Sequence, residues 1–195
     1  MIRLVVGLGN PGSQYEGTRH NIGLEVLTRS AQLLQARPQP QRGLYQWASA
    51  GPDANCLVLA SPRTFMNRSG DAVSALLHDF EFSLSEMLVL VDDFNLALGA
   101  VRIRAAGSDG GHHGLASIIQ CLGTDSFARL RAGIGQPADN VDAADYVLSH
   151  FEPADAEKVR EMVDRAAEAT IFAVHHRLEE TMTRYNYNPA PSELP

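Results

Sequence analysis

Cysteine is almost absent. Cys56 and Cys121 are the only two, far apart and without metal-ligand spacing, which excludes a disulfide framework and leaves two reduced, buried thiols as the expectation. No run approaches 18 apolar residues, and no basic segment with a cleavage site precedes the first strand-like run. Neither a membrane span nor a secretion signal is therefore expected, and the cytoplasm is the default compartment. No G-x-S-x-G elbow occurs and neither cysteine adjoins a histidine, so no covalent nucleophile is in view. If the chain is a hydrolase, water attacks. Positive charge is also short, with 16 Lys and Arg against 23 Asp and Glu and a net charge of −7. That total argues against a nucleic-acid partner, but its distribution does not. Residues 139–195 hold 5 basic and 12 acidic side chains, whereas residues 1–138 hold 11 of each. Contact with phosphate depends on where the cations lie, so the first part of the chain can still carry a basic face.

What is present reads as one α/β domain: 195 residues, 45% of them hydrophobic, a length that buries a sizeable core but crowds two domains. Strand-like and amphipathic segments alternate as strand 2–6, helix 22–35, hairpin 44–49 with 55–60, helix 69–80, strands 87–91 and 100–104, helix 114–122, strand 128–134 and one long C-terminal helix. The pattern predicts a mixed, twisted β-sheet flanked by helices, with a C-terminal helical segment. Residues 37–41 (RPQPQ) read as a linker. The domain is expected to span 1–188, with the Pro-rich tail from Asn186 fraying and 189–195 left outside it.

The run GLGNPG at residues 7–12 has the letters of a dinucleotide fingerprint but lacks its companions. A polar loop follows where a helix should open, and residues 34–40 offer no acid for a ribose. The polar residues of interest lie in four loops: Asn10 to Asn21, Thr64 to Asn67, Asp92 to Asn95, and Gly110 to Gly114. His20 is a candidate base and Asp92, at a strand end, a candidate partner that orients it. Asn10 and Asn67 can hold a water and polarise a carbonyl. Each also has an ordinary reading as a cap, turn or surface residue. Metal-assisted hydrolysis through Asp92, Asp109, His112 and His113 is the rival, but adjacent histidines on a glycine loop match no ligand spacing. Arginines recur at i and i+2 in Arg102/Arg104 and Arg129/Arg131, placing each pair on one strand face, as a phosphate track or as an ordinary solvated face.

Taken together, several stretches resemble the bacterial-type peptidyl-tRNA hydrolases. They are VGLGNPG at 6–12 with Tyr15 and Thr18-Arg19-His20-Asn21, TFMNRSG at 64–70, Asp92-Asp93 with Gly99, GGH at 110–112 with Gly114-Leu115, and RLRAGIG at 129–135. The resemblance implies a monomer without metal or cofactor that cleaves the ester joining a peptide to the 3′-terminal ribose of tRNA. It implies that His20 activates water, that Asp92 stabilises the form of His20 able to do so, and that Asn10 senses the blocked amino end. Tyr15, Phe65, Met66 and Asn67 would line the cleft, and the glycines at 7–12 would turn the backbone so that Asn10 sits at its mouth. Arg102, Arg104 and Arg131 would contact the RNA. His113 departs from the family pattern, which has asparagine there. A non-catalytic RNA-binding relative of the same fold is the alternative.

Overall fold

A computed structural model describes residues 1–52 and 56–187. Its strands are β1 (Leu4–Gly7), β2 (Arg37–Pro38), β3 (Tyr45–Ala50), β4 (Leu57–Pro62), β5 (Met87–Asp93), β6 (Val101–Arg104) and β7 (Ala128–Gly133). The helices are α1 (Ile22–Leu33), α2 (Ser69–Asp79), α3 (His113–Leu122), α4 (Ala143–Leu148), α5 (Ala156–His175) and α6 (Leu178–Tyr185). One seven-stranded sheet runs in the order β2-β3-β4-β1-β5-β7-β6. Its centre, β4-β1-β5-β7, is parallel, and β2, β3 and β6 are antiparallel to their neighbours.

The central strands are covered on both faces, which is why β1, β4 and β5 read as nearly continuous apolar runs. Successive side chains still alternate between the two sides. Leu4, Val6, Val89 and Val91 pack with Val73, Leu76, Leu115 and Ile118 beneath α2 and α3. Val5, Leu88 and Leu90 pack with Ile22 and Val26 of α1 and with Met162, Ala166 and Ala169 of α5.

β1 is followed by α1 on one face, and its neighbour β4 by α2 on the other. The chain thus parts at the carboxyl edge of the sheet, which opens a crevice between the loops after β1, β4 and β5. α1 can approach that edge only through glycine. A Cβ on Gly23 would lie 2.4 Å from the Leu90 carbonyl oxygen, and one on Gly7 would lie 2.6 Å from that of Gly23. In the 7–12 loop, then, Gly7 serves close helix–strand packing, and the turn itself falls to Gly12, with φ of +111°.

Several expectations change. Arg37–Pro38, expected as linker, pairs as edge strand β2 with Ser49 and Ala48; proline is tolerated there because an edge strand can spare a donor. The C-terminal helix is two helices, broken at His176-Arg177. Asn186 and Tyr187 do not fray but dock on the free edge of β6. Tyr187 exchanges backbone hydrogen bonds with Val101 at 2.8 and 2.9 Å, and Asn186 Oδ1 accepts from the Ile103 amide at 2.6 Å. The tail 189–195, residue 188 and the turn of the predicted hairpin at 53–55 lie outside the described residues. Both cysteines are free, but Cys121 is exposed and Cys56 half-buried, so the expectation of two buried thiols fails. Among the described residues no helix is long and apolar enough to cross a membrane.

Candidate active site

Three elements meet at the crevice. A 3-10 turn, Arg19–Asn21, feeds into α1 and carries His20; Asp92 sits near the end of β5; and His112 is the N-cap residue of α3. His20 Nδ1 lies 2.8 Å from Asp92 Oδ1, and His112 Nε2 lies 3.0 Å from the same oxygen. The two rings are 4.9 Å apart, centroid to centroid. Asp92 is 3% exposed and His20 6%. Burial pushes the Asp92 carboxyl up, but the two imidazoles, His112 more than His20, outweigh it and hold the group below the ordinary carboxylate range.

The tautomers follow from the partners. His112 Nδ1 accepts from the backbone amides of Gly114 and Leu115, at 3.0 and 3.2 Å, as the cap of α3. Its lone pair is thereby committed, and its Nε2 must carry the proton donated to Asp92. His20 likewise donates from Nδ1 to the ionised carboxylate, which leaves its Nε2 as a free acceptor.

His20, Asp92 and His112 also bring three possible ligand atoms within 4.8 Å of one another. Those atoms are already bound to each other through two protons, which a cation would have to displace. The rival metal set of Asp92, Asp109, His112 and His113 does not assemble in that form: His113 is exposed, and Asp109 Oδ1 accepts from the Gly111 amide at 2.8 Å.

A cleft of about 530 Å³, open mouth included, adjoins the trio; it is lined by His20, Asp92, His112, His113 and Arg131, with Phe94 and Val147 as apolar wall. Asn10 and Met66, expected at the cleft, do not line it; they are joined to each other, since Asn10 Oδ1 accepts from the Met66 amide at 2.8 Å. That donor fixes the orientation of the Asn10 amide and leaves Nδ2 without an acceptor among the described residues. Asn21, part of the Thr18–Asn21 stretch but without an assigned role there, holds the Asn10 backbone from both sides: its Oδ1 accepts from Asn10 N at 2.8 Å and its Nδ2 donates to Asn10 O at 3.0 Å. Tyr15 is half-buried, while Asn67 and Phe65, the latter 56% exposed, stand on the surface; none of the three lines the cleft around His20.

The arginine pairs divide. Arg102 and Arg104 are exposed on β6, opposite Arg131 and Arg129 in register. Arg131 borders the cleft with its Nε 3.0 Å from Asp93 Oδ2. Arg129 is only 1% exposed. Its guanidinium donates to the carbonyls of Gly107, Ser108, Asp125 and Phe127 and lies over the Phe127 ring. It holds the glycine loop in place and is removed from any phosphate track, because two strand positions on one face are equally accessible only when nothing folds over one of them.

In the sequence His112 stands out as a possible ligand and as part of the GGH stretch, without a role beside Asp92, and nothing points to the wall that α4 supplies. Six residues of mixed polarity do not announce a helix, and a histidine side chain as N-cap has no sequence signal of its own.

Comparison with known proteins bears on the fold and the family. The family model described as peptidyl-tRNA hydrolase matches residues 4–193. The chain is 43% identical over 184 residues to the peptidyl-tRNA hydrolase of Chloroflexus aurantiacus, covering 94% of this chain and 98% of that protein. It is 40% identical over 185 residues to that of Aquifex aeolicus, covering 95% and 96%. The crystal structure of peptidyl-tRNA hydrolase from Acinetobacter baumannii superposes with a TM-score of 0.89 at 29% identity, over 97% of each chain. With the fold and this full-length similarity in agreement, the chain belongs to the peptidyl-tRNA hydrolase family.

Proposed function

We propose that this enzyme hydrolyses the ester between the peptide carboxyl and the 3′-terminal ribose of peptidyl-tRNA, with His20 as the base. The observation that carries the reading is the pairing of His20 Nδ1 with a buried, ionised Asp92, which leaves His20 Nε2 as proton acceptor beside the cleft. A water on Nε2 gives up a proton as its oxygen bonds to the ester carbonyl carbon. The bond from that carbon to the ribose oxygen then breaks, and the ribose oxygen takes the proton from His20. Asp92 stabilises the imidazolium in between, and His112 helps keep Asp92 ionised.

Asn10 accounts for selectivity. With its Oδ1 engaged by Met66, the amide presents only N–H donors. An N-blocked substrate offers a carbonyl oxygen there, whereas a free aminoacyl ester offers an ammonium, which can only donate. N-acetylated aminoacyl-tRNA should therefore be cleaved and the free ester largely spared, with or without a chelator. Equal cleavage of the two would sink the role of Asn10, and loss of activity with chelator would restore the metal reading.

We assign the peptide and the terminal nucleotide to the surface around Phe65, Met66, Asn67 and Tyr15, and the RNA backbone to Arg102, Arg104 and Arg131. Arg102→Ala and Arg104→Ala should each weaken tRNA binding and shallow its log–log salt dependence by roughly 0.7–0.9 for each phosphate no longer neutralised. Salt slopes equal to that of the parent in both variants would remove β6 from the RNA face.

At the first position of α3, His113 replaces the family's asparagine with a ring that can also donate or accept one hydrogen bond. In His113→Asn, cleavage of N-acetylated aminoacyl-tRNA at neutral pH should be kept or raised. A loss beyond about 100-fold, the lower scale of a lost general base, would make His113 a catalytic residue instead.

A further inference from the structure

The residue before the base is an arginine with an unusual burial. Arg19 is 7% exposed, and among the described residues no carboxylate forms an ion pair with it. Its guanidinium lies 4.4 Å from the Tyr146 ring centroid and 5.0 Å from that of Phe151. It donates to Ser149 Oγ at 2.6 Å and to the His150 carbonyl, and its Nε is buried without a partner. The backbone repeats the attachment: Arg19 N donates to Ser149 O at 3.0 Å, Thr18 bridges His150, and His150 Nε2 lies 3.1 Å from Glu16 O.

Everything that the Arg19 side chain grips belongs to α4 and the three residues after it. α4 in turn puts Ala143, Ala144 and Val147 into the cleft beside His20 and His112, positions whose spacing shares one helical face. Tyr146, on the gripped side, also donates to the Ile134 carbonyl at 2.7 Å. A buried guanidinium with no carboxylate and one orphaned N–H is costly, and an apolar side chain of similar volume would hold a core at less expense. Its planar, two-faced, multi-donor head does what an apolar residue cannot. It fixes the spacing and tilt of a six-residue helix that is too short to hold itself.

Resting on the function proposed above, we infer that Arg19 is a positioning residue: it sets the distance between the α4 wall and His20, and so the width of the cleft in which the substrate is held. His20 and the wall are thereby placed by adjacent residues of one turn.

The test is a double-substitution cycle on Arg19→Met and Tyr146→Leu. Cleavage of N-acetylated aminoacyl-tRNA is measured beside hydrogen exchange of the 143–149 amides, with the β1 and β5 amides as reference. Each single variant should lower kcat/KM about 10–100-fold, the scale of a displaced binding wall. The loss should fall mainly in KM, and the acid limb of the kcat profile should stay in place because the His20–Asp92 pair is untouched. The double variant should lose clearly less than the product of the two single losses, since both break the Arg19–Tyr146 contact while each also removes bonds of its own. Exchange at 143–149 should speed up while β1 and β5 stay protected. Ser149→Ala, at an exposed position, should move the same readings in the same direction by less, and serves where Arg19→Met does not fold. Unchanged exchange at 143–149, additive losses, or a loss confined to kcat with a shifted acid limb would each overturn the inference. The exchange measurement does not depend on the ester being the substrate, so failure of the proposed function and failure of this inference are separable.

Discussion

Replacement of His20 by alanine is expected to lower cleavage of N-acetylated aminoacyl-tRNA by about 10²–10⁴-fold, the contribution of a placed general base. The loss should appear in single-turnover rates, because the imidazole acts on the attacking water. His20 is not a free loop side chain, however. It is 6% exposed and supplies one of the two N–H groups that meet Asp92 Oδ1. Its removal leaves a buried carboxylate with His112 alone, so thermal unfolding should shift down as well, by the about 1–3 kcal/mol that an under-satisfied buried group costs. Cleavage within tenfold of the parent in a folded His20→Ala protein would reassign the base.

Asp92→Asn should be at least as damaging, at roughly 10³–10⁴-fold in kcat, the size expected when a carboxylate behind a catalytic histidine becomes an amide. Both histidines address the same oxygen, Oδ1. If the amide oxygen takes that place, both hydrogen bonds survive and only the charge that stabilises the imidazolium is lost. If the amide nitrogen takes it, two donors face His20 Nδ1, the His20 proton moves to Nε2, and the base is blocked.

The same substitution has a signature in stability. The Asp92 carboxyl is held below its unfolded value of about 3.9. Its contribution to stability is therefore fully present above about pH 4 and is lost as the pH falls through the lower folded value. Asp92→Asn should remove this component from the acid limb of the stability profile, measured by denaturant unfolding across pH 2–7. An acid limb of unchanged shape would show that Asp92 is not ionised through its imidazole partners.

The chemistry was legible in the sequence to the extent that it depends on residue type. Asn10, His20 and Asp92 stand out because each reads as part of a polar segment directly after a strand or before a helix, where α/β sheets gather their sites, although Asp92 is still paired within β5. Continuous apolar runs likewise located β1 and β5, which are buried on both faces, and the period-3.6 pattern located α1, α2 and the stripe of α5, which bury one side against a neighbour wherever that neighbour comes from. The short elements escaped. β2 and α4 have too few residues for a period to show, and what holds them is packing against β3 and against Arg19.

By itself, the sequence determined the α/β class, the helix and strand faces and the residue types able to move a proton, since these follow from local periodicity and side-chain chemistry. Tertiary structure alone decided which of these groups share atoms. It brought His112 from beyond β6 onto the oxygen that His20 uses, turned the Asn10 side-chain amide through Met66 and held its backbone through Asn21, and folded the carbonyls of Gly107, Ser108 and Asp125 over Arg129 while leaving Arg102 and Arg104 exposed. The physical reason is that hydrogen-bond partnership and depth of burial belong to pairs of segments. Eleven residues separate Asn10 from Asn21, 20 separate His112 from Asp92, and 72 separate His20 from it, and no local pattern can encode a distance that only the closed chain creates.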